Sequence, residues 1–161
     1  MTSRITEEIA AWIGREAVYT APEALGLSSI RYFALATGDA CPLYHDADAA
    51  SRSAHGGVIA PPTLVCETNQ FYALPADENG YIGHTWHLPL RDGRFIRGGN
   101  EYEFVQPVRP DDQVTVTWRI VDIYERQTRQ SESLVFVVSE ARYANQHGEL
   151  LAVNRETNIH Y

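Results

Sequence analysis

Asp39 and His45 share one short loop, Thr37-Gly38-Asp39-Ala40-Cys41-Pro42-Leu43-Tyr44-His45-Asp46, stiffened by its proline. Further on, Val58-Ile59-Ala60-Pro61-Pro62-Thr63 reads as a tight approach into the N-terminus of an apolar helix. A carboxylate and an imidazole poised near neutral pH suit proton transfer to and from water. A helix N-terminus suits a developing negative charge on a carbonyl oxygen. Together they fit acid/base chemistry on an activated carbonyl. Pro61 and Pro62 have no amide hydrogen, so amide donors to such an oxygen fall around Thr63 and Leu64.

The elements that position these residues divide into two blocks. Ile5, Ile9, Trp12 and Ile13 recur at helical spacing and Gly14 is placed to stop that helix. Ala17 to Thr20 reads as a short strand. A second helix is expected from Ser28 or Ser29, either of which can cap it, to Gly38. Asp46 opens a short helix over Ala47 to Ser53. Thr63 to Tyr72 reads as a buried central helix ending before Pro75, since proline is tolerated in a first turn. Pro75 to Gly99 is rich in Gly, Pro, Asp and His and reads as a long loop with one short strand around Ile82 to Leu88.

The final third changes period. Tyr102 and Phe104 alternate with Glu101 and Glu103. Val114, Val116, Trp118 and Ile120 alternate with Thr115, Thr117 and Arg119. Leu134 to Val138 is a continuous apolar run, and Leu150 to Ile159 a weaker one. Arg109-Pro110-Asp111-Asp112 and Asn145-Gln146-His147-Gly148 read as turns between strands. Helices followed by long antiparallel strands predict an α+β fold, a sheet curled around one central helix.

At 161 residues the chain is expected to be one domain over positions 1–161. A net charge of −8 argues against nucleic acid as a partner, because phosphate binding needs a basic face. All 13 basic residues are arginine, which excludes a Schiff-base lysine. Cys41 and Cys66 form no disulfide or metal pattern. With no signal-peptide core near the N-terminus and no apolar run of spanning length, a cytoplasmic protein away from the membrane is expected.

Gly38-Asp39-x-x-Pro42-Leu43-Tyr44-His45-Asp46 followed by Ile59-Ala60-Pro61-Pro62-Thr63 resembles the MaoC-like hydratase/dehydratase family, in particular its N-terminal dehydratase-type branch. Gly98-Gly99-Asn100-Glu101-Tyr102-Glu103-Phe104 and Pro107-Val108-Arg109-Pro110-Asp111-Asp112 are similar to that branch's strand and turn signature. The resemblance runs from about Thr6 to Ile159. It implies a hot-dog fold, an antiparallel sheet wrapped around a long central helix, working as a homodimer or as a heterodimer with a second hot-dog subunit. It also implies (R)-specific hydration of trans-2-enoyl thioesters, or dehydration of 3-hydroxyacyl thioesters, carried on coenzyme A or acyl carrier protein. Asp39 and His45 would then handle water and proton. Tyr44, Ala60, Pro62, Thr63 and Leu64 would bind substrate, and neither metal nor cofactor would be needed.

The loop departs from the family pattern in two places. Tyr44 stands at the usual histidine position with His45 one residue later, and Cys41 replaces the usual asparagine. The Tyr-His-Asp form resembles the partner subunit of heterodimeric dehydratases. A second reading is therefore a non-catalytic acyl-binding subunit, with Asp39 tying down loop amides and His45 bonding at a subunit interface. A hot-dog thioesterase, with Glu67 as the carboxylate on the central helix, is a third reading and leaves the Gly-Asp loop unexplained.

Other side chains divide in the same way between chemistry and packing. His84-x-x-His87 lacks further ligand spacing and reads as a loop over the cleft rather than a zinc site. His55 before Gly56-Gly57 reads as a turn histidine. Arg91, Arg94 and Arg97 read as a basic cluster, facing either phosphates or solvent. Thr63 and Asn69 share a side of the central helix. Phe71, Tyr72 and Trp86 read as core before acyl tunnel.

Overall fold

The computed structural model describes residues 3–66, 74–78, 80–90, 94–127 and 133–161. Its frame is one antiparallel sheet in the order β1-β3-β4-β5-β2, made of β1 (Glu16–Thr20), β2 (Phe95–Phe104), β3 (Thr115–Gln127), β4 (Ser133–Ala144) and β5 (Leu150–His160). The three long C-terminal strands form its centre because their inward positions are apolar or sealed. On β3 these are Val116, Trp118, Ile120 and Ile123, and on β4 they are Val135, Val137, Ser139, Ala141 and Tyr143. Strand period puts each set on one face, with the register shift between Ile120 and Asp122 bringing Ile123 onto it. Among the described residues, helix α1 (Glu7–Ala10) precedes β1, and α2 (Gly26–Thr37) and α3 (Ala47–Ser51) lie between β1 and β2.

The inner face holds two clusters. One gathers Leu25, Ile30, Ala60, Leu64 and Val65 over Val116, Trp118, Ala141 and Tyr143. The other gathers Ile9, Ile120, Ile123, Val135 and Val137. Trp86 packs against both, so a single loop side chain joins the two halves of the core.

Several local expectations change. α2 starts at Gly26 rather than at a serine cap, and its N-cap residue Leu25 makes no side-chain cap bond. The turn at 109–112 replaces the cap: the Leu25 and Gly26 amides donate to the Asp112 and Pro110 carbonyls at 2.9 and 2.7 Å. The helix does end at Gly38, in the left-handed conformation at φ 70°. α1 stops at Ala10, so Ile13 leaves the helical phase and is 46% exposed, while Ile9 is buried. Positions 82–88 form no strand; instead the indole of Trp86 donates to Ser139 Oγ at 2.9 Å, turning this loop's side chains onto the sheet.

Strand β2 begins at Phe95, inside the stretch expected to be loop, and passes through Gly98 at a register shift against β5. A Cβ on Gly98 would lie 2.8 Å from Ile159 Cδ1, so only glycine lets the two strands approach there. Of the expected central helix, the structure describes a 3-10 helix over Pro62–Cys66. The rest of it, with Glu67, Asn69, Phe71 and Tyr72, lies outside the described residues, as does Arg91.

Candidate functional site

The Asp39–His45 loop is built by the end of α2. Gly38 turns the chain, the Asp39 amide closes back on the Ala34 carbonyl at 2.8 Å, and a 3-10 turn over Pro42–Tyr44 follows. Asp39 Oδ1 accepts from the Cys41 amide at 3.0 Å, which fixes the carboxylate at the head of the loop. The His45 ring folds back so that Nε2 lies 3.4 Å from the Ala40 carbonyl, beside Asp39. Asp39 and His45 are both exposed, and Tyr44 is half-buried. Burial first, and then the charge of Asp39, raises the Tyr44 phenol above its ordinary pKa. Asp46 accepts from the Asp48 and Ala49 amides as the cap of α3, and these bonds, the Ala49 one foremost, lower its pKa.

This loop meets the approach to the 3-10 helix directly. The Ile59 amide donates to the Leu43 carbonyl at 3.2 Å, and Tyr44 packs on the same cluster that contains Ala60 and Leu64. Of the expected substrate-binding set, Pro62 and Thr63 are exposed, whereas Ala60 and Leu64 are buried at 3% and 6%. The Leu64 amide already donates to the Pro61 carbonyl at 2.9 Å, and the Ala60 amide to the Val108 carbonyl at 2.8 Å. Pro62 has no amide hydrogen, which leaves the amide of Thr63, an exposed residue, as the candidate donor at this terminus.

Arg109 holds the segment in place, a part not drawn from the sequence. Its Nη2 donates to the His55 carbonyl at 2.7 Å while its own amide donates to Asp112 at 2.7 Å. The 109–112 turn thus ties together the start of α2, the His55 turn and, through Val108, Ala60. The signal was available in the Arg-Pro-Asp-Asp run, but which backbone groups it would reach is a tertiary fact.

A second region lies on the inner face of the sheet. A cleft of ≈ 470 Å³ is bounded by Trp86 and His84 above and by Val137, Glu156 and Asn158 below. Asp39, Tyr44 and His45 do not line it. His84 is the one expected loop residue with an unusual state: burial foremost, then the charge of His87, lowers its pKa to about 4, so the ring is neutral at pH 7. The Tyr19 hydroxyl meets its Nδ1 at 2.8 Å, and Trp86 and Trp118 pack around the ring. Glu156, 8% exposed, pairs with Arg97 at 3.0 Å and accepts from Asn158 at 2.8 Å. That pairing draws Arg97 out of the expected basic cluster. Asn154, Glu156, Asn158 and His160 occupy alternate positions on β5. This period of two was visible in the last strand, where a weak apolar run was read instead.

Among the described residues no helix is long and apolar enough to cross a membrane. A UPF0336 protein of Streptomyces coelicolor is 38% identical over 105 residues, covering 65% of this chain and 66% of the relative, just under two thirds of its length. The (R)-hydratase from A. caviae involved in PHA biosynthesis superposes with a TM-score of 0.63 at 20% identity, over 91% of this chain and 94% of that one. The ChsH1–ChsH2 complex from Mycobacterium tuberculosis gives 0.70 at 18% identity, over 89% and 82%. These likenesses show a hot-dog fold, the architecture of the MaoC-like hydratases and dehydratases. Residues 11–154 match the family model described as FAS1-like, dehydratase domain region, and the chain belongs to that family.

Proposed function

We propose that this chain is one hot-dog subunit of an (R)-specific hydratase/dehydratase for trans-2-enoyl and 3-hydroxyacyl thioesters of coenzyme A or acyl carrier protein. The carrying observation is the junction of the Asp39–His45 loop with the approach to Pro62–Cys66 through the Ile59–Leu43 bond. It sets a carboxylate, an imidazole and the Thr63 amide on neighbouring pieces of backbone. In this reading Asp39 and His45 hold the water and pass its proton. The Thr63 amide donates to the thioester oxygen as enolate character develops, and Tyr44, Ala60, Pro62 and Leu64 shape the wall beside it. Leu64 and Ala60 act by packing, since their amides are already bonded. No metal or cofactor has a part in this scheme, and the whole chain acts as one domain in the cytoplasm.

The solvent exposure of both acid/base side chains supports a subunit rather than a self-sufficient enzyme. Strand β2 is exposed along its whole length and carries Phe95, Ile96, Tyr102 and Phe104 at 37–52% exposure on the sheet edge. An edge strand whose outer side is open and which carries exposed apolar side chains is a pairing surface. A second hot-dog subunit, of the same or another sequence, is its proposed occupant, as the two-component complex among the structural relatives illustrates. A second reading keeps the fold and partner but gives the chemistry to that partner. The Asp39–Cys41 bond favours it, because it uses the carboxylate as a loop tie.

One assay separates the two. Loss of enoyl absorbance from crotonyl-CoA is followed with the chain alone and with a co-expressed hot-dog partner, while free thiol is monitored. Hydration that disappears with Asp39→Asn and His45→Ala supports the first reading. Hydration that needs the partner and ignores both substitutions supports the second. Thiol release without hydration overturns both and points to thioester hydrolysis.

A further inference from the structure

The inner-face cleft combines two features that seldom occur together. Its walls are aromatic and aliphatic, with Trp86, Trp118 and Val137. Its floor is polar, because β5 turns Glu156 and Asn158 inward where an ordinary core strand would place apolar residues. At ≈ 470 Å³ it has the volume of a small-ligand pocket. It adjoins the packing beneath the proposed thioester end through one shared side chain. Trp118 belongs to the cluster under Leu64 and Val65 and to the cleft wall.

The floor's unused hydrogen-bonding capacity sets the chemistry of the occupant. Each Glu156 oxygen has one described protein donor, Arg97 to Oε2 and Asn158 to Oε1. A carboxylate accepts about four hydrogen bonds, so capacity remains. Asn158 spends its amide on that contact. In the wall, His84 Nε2 and Trp118 Nε1 are buried with no hydrogen-bond partner among the described residues. A purely hydrocarbon occupant would strip water from this floor and return nothing. A carboxylate at the end of the chain would face Glu156, which already engages the Arg97 guanidinium, and a cation would compete with Arg97. A hydroxyl group satisfies the acceptor-rich floor without net charge.

We propose that the cleft receives the distal part of the acyl chain and selects chains bearing a hydroxyl group there over plain hydrocarbon chains of equal length. The proposal rests on the thioester reading above for the identity of the chain, but its test does not depend on catalysis. Decanoyl-CoA and hydroxydecanoyl-CoA isomers, with the hydroxyl placed at successive positions from C7 to C10, are titrated calorimetrically against the full chain, alone and with its partner. None of these thioesters can be hydrated, since none has the alkene.

At one hydroxyl position binding is expected to be about ten- to a hundredfold tighter than for decanoyl-CoA, the worth of one added hydrogen bond to a charged acceptor. Glu156→Leu is expected to abolish that preference while decanoyl-CoA binds as well or better. Glu156→Gln is expected to reduce it, and a thermal melt checks that each variant is folded. Asp39→Asn is expected to leave the preference untouched. A third ligand, octan-1-ol, carries the hydroxyl without a thioester. If the thioesters do not bind but octan-1-ol binds and Glu156→Leu weakens it, the cleft assignment stands and the thioester reading falls. If every isomer binds no tighter than decanoyl-CoA, the proposal is overturned while the thioester reading survives. If neither class of ligand binds, both are overturned.

Discussion

The Asp39–His45 loop and the inner-face cleft carry the same kinds of side chain in opposite surroundings. In the loop, a carboxylate and an imidazole are solvent-exposed and each makes one bond to local backbone. In the cleft, Glu156 is nearly sealed against Arg97 and Asn158, and His84 is held neutral among aromatic rings. Exposed groups keep their protonation flexible and cost little to fold, but water screens them until something covers them. Buried groups lose that freedom and become shape and hydrogen-bond determinants instead. The difference teaches that chemistry and selection are separable in this molecule: one region needs a cover, the other already has one.

The largest test of this division is at the loop. Asp39→Asn in the assembled, active complex is expected to lower hydration by about 10²–10⁴-fold, the worth of a general acid/base group, with the urea midpoint almost unchanged. A large stability loss would mean that the carboxylate is chiefly a loop tie. The converse substitution, Trp86→Ala, removes the indole that joins both core clusters and bonds Ser139. Urea denaturation is expected to show a loss of about 3–5 kcal/mol.

Acid should separate the regions next. The folded pKa of His84 lies near 4, below the usual 6.5. Above pH 6.5 the ring is neutral in both folded and unfolded chains, and the fold has its full stability. Between 6.5 and 4 the unfolded chain binds more protons, so stability falls as pH falls. The loss is expected to approach about 2–3 kcal/mol near pH 4, the lower figure allowing for partial solvent access. His160, also lowered by burial, adds in the same direction. His84→Phe should flatten the pH dependence of the urea midpoint.

A smaller effect is expected at Arg109, whose guanidinium holds the His55 carbonyl. Arg109→Met should cost about 1.5–3 kcal/mol in chemical denaturation. Because Arg109 ties the 55–60 segment rather than the cleft, hydration should also drop, with octan-1-ol binding unaffected. Smallest is Gly98→Ala on the edge strand. Crowding against the flexible end of Ile159 should cost about 1–2 kcal/mol and weaken partner association measured by sedimentation.

Much of this organisation is legible along the chain. The four elements β1, α2, α3 and β3 follow from local period, Gly38 and Asp46 punctuate as expected, and the loop motif with its proline-led partner identifies the family. The expectations that changed share one cause. Ser28 and Ser29 do not cap α2, because a distant turn bonds its first amides. Residues 82–88 do not form a strand, because Trp86 and His84 gain more by burying their rings against the sheet than the backbone would by pairing. β2 extends back to Phe95 because β5 supplies a partner for residues that look like loop.

Order and residue type therefore determined the class of fold, the family and the acid/base candidates, since helix and strand periods and short-loop chemistry are local properties. The tertiary structure alone decided which of those groups lie open and which are enclosed. It made His84 a neutral wall residue, Arg109 a clamp, and the polar side of β5 the floor of a cleft. Burial, and with it the charge state and hydrogen-bond demand of a side chain, depends on segments far apart in sequence that meet only in the folded chain.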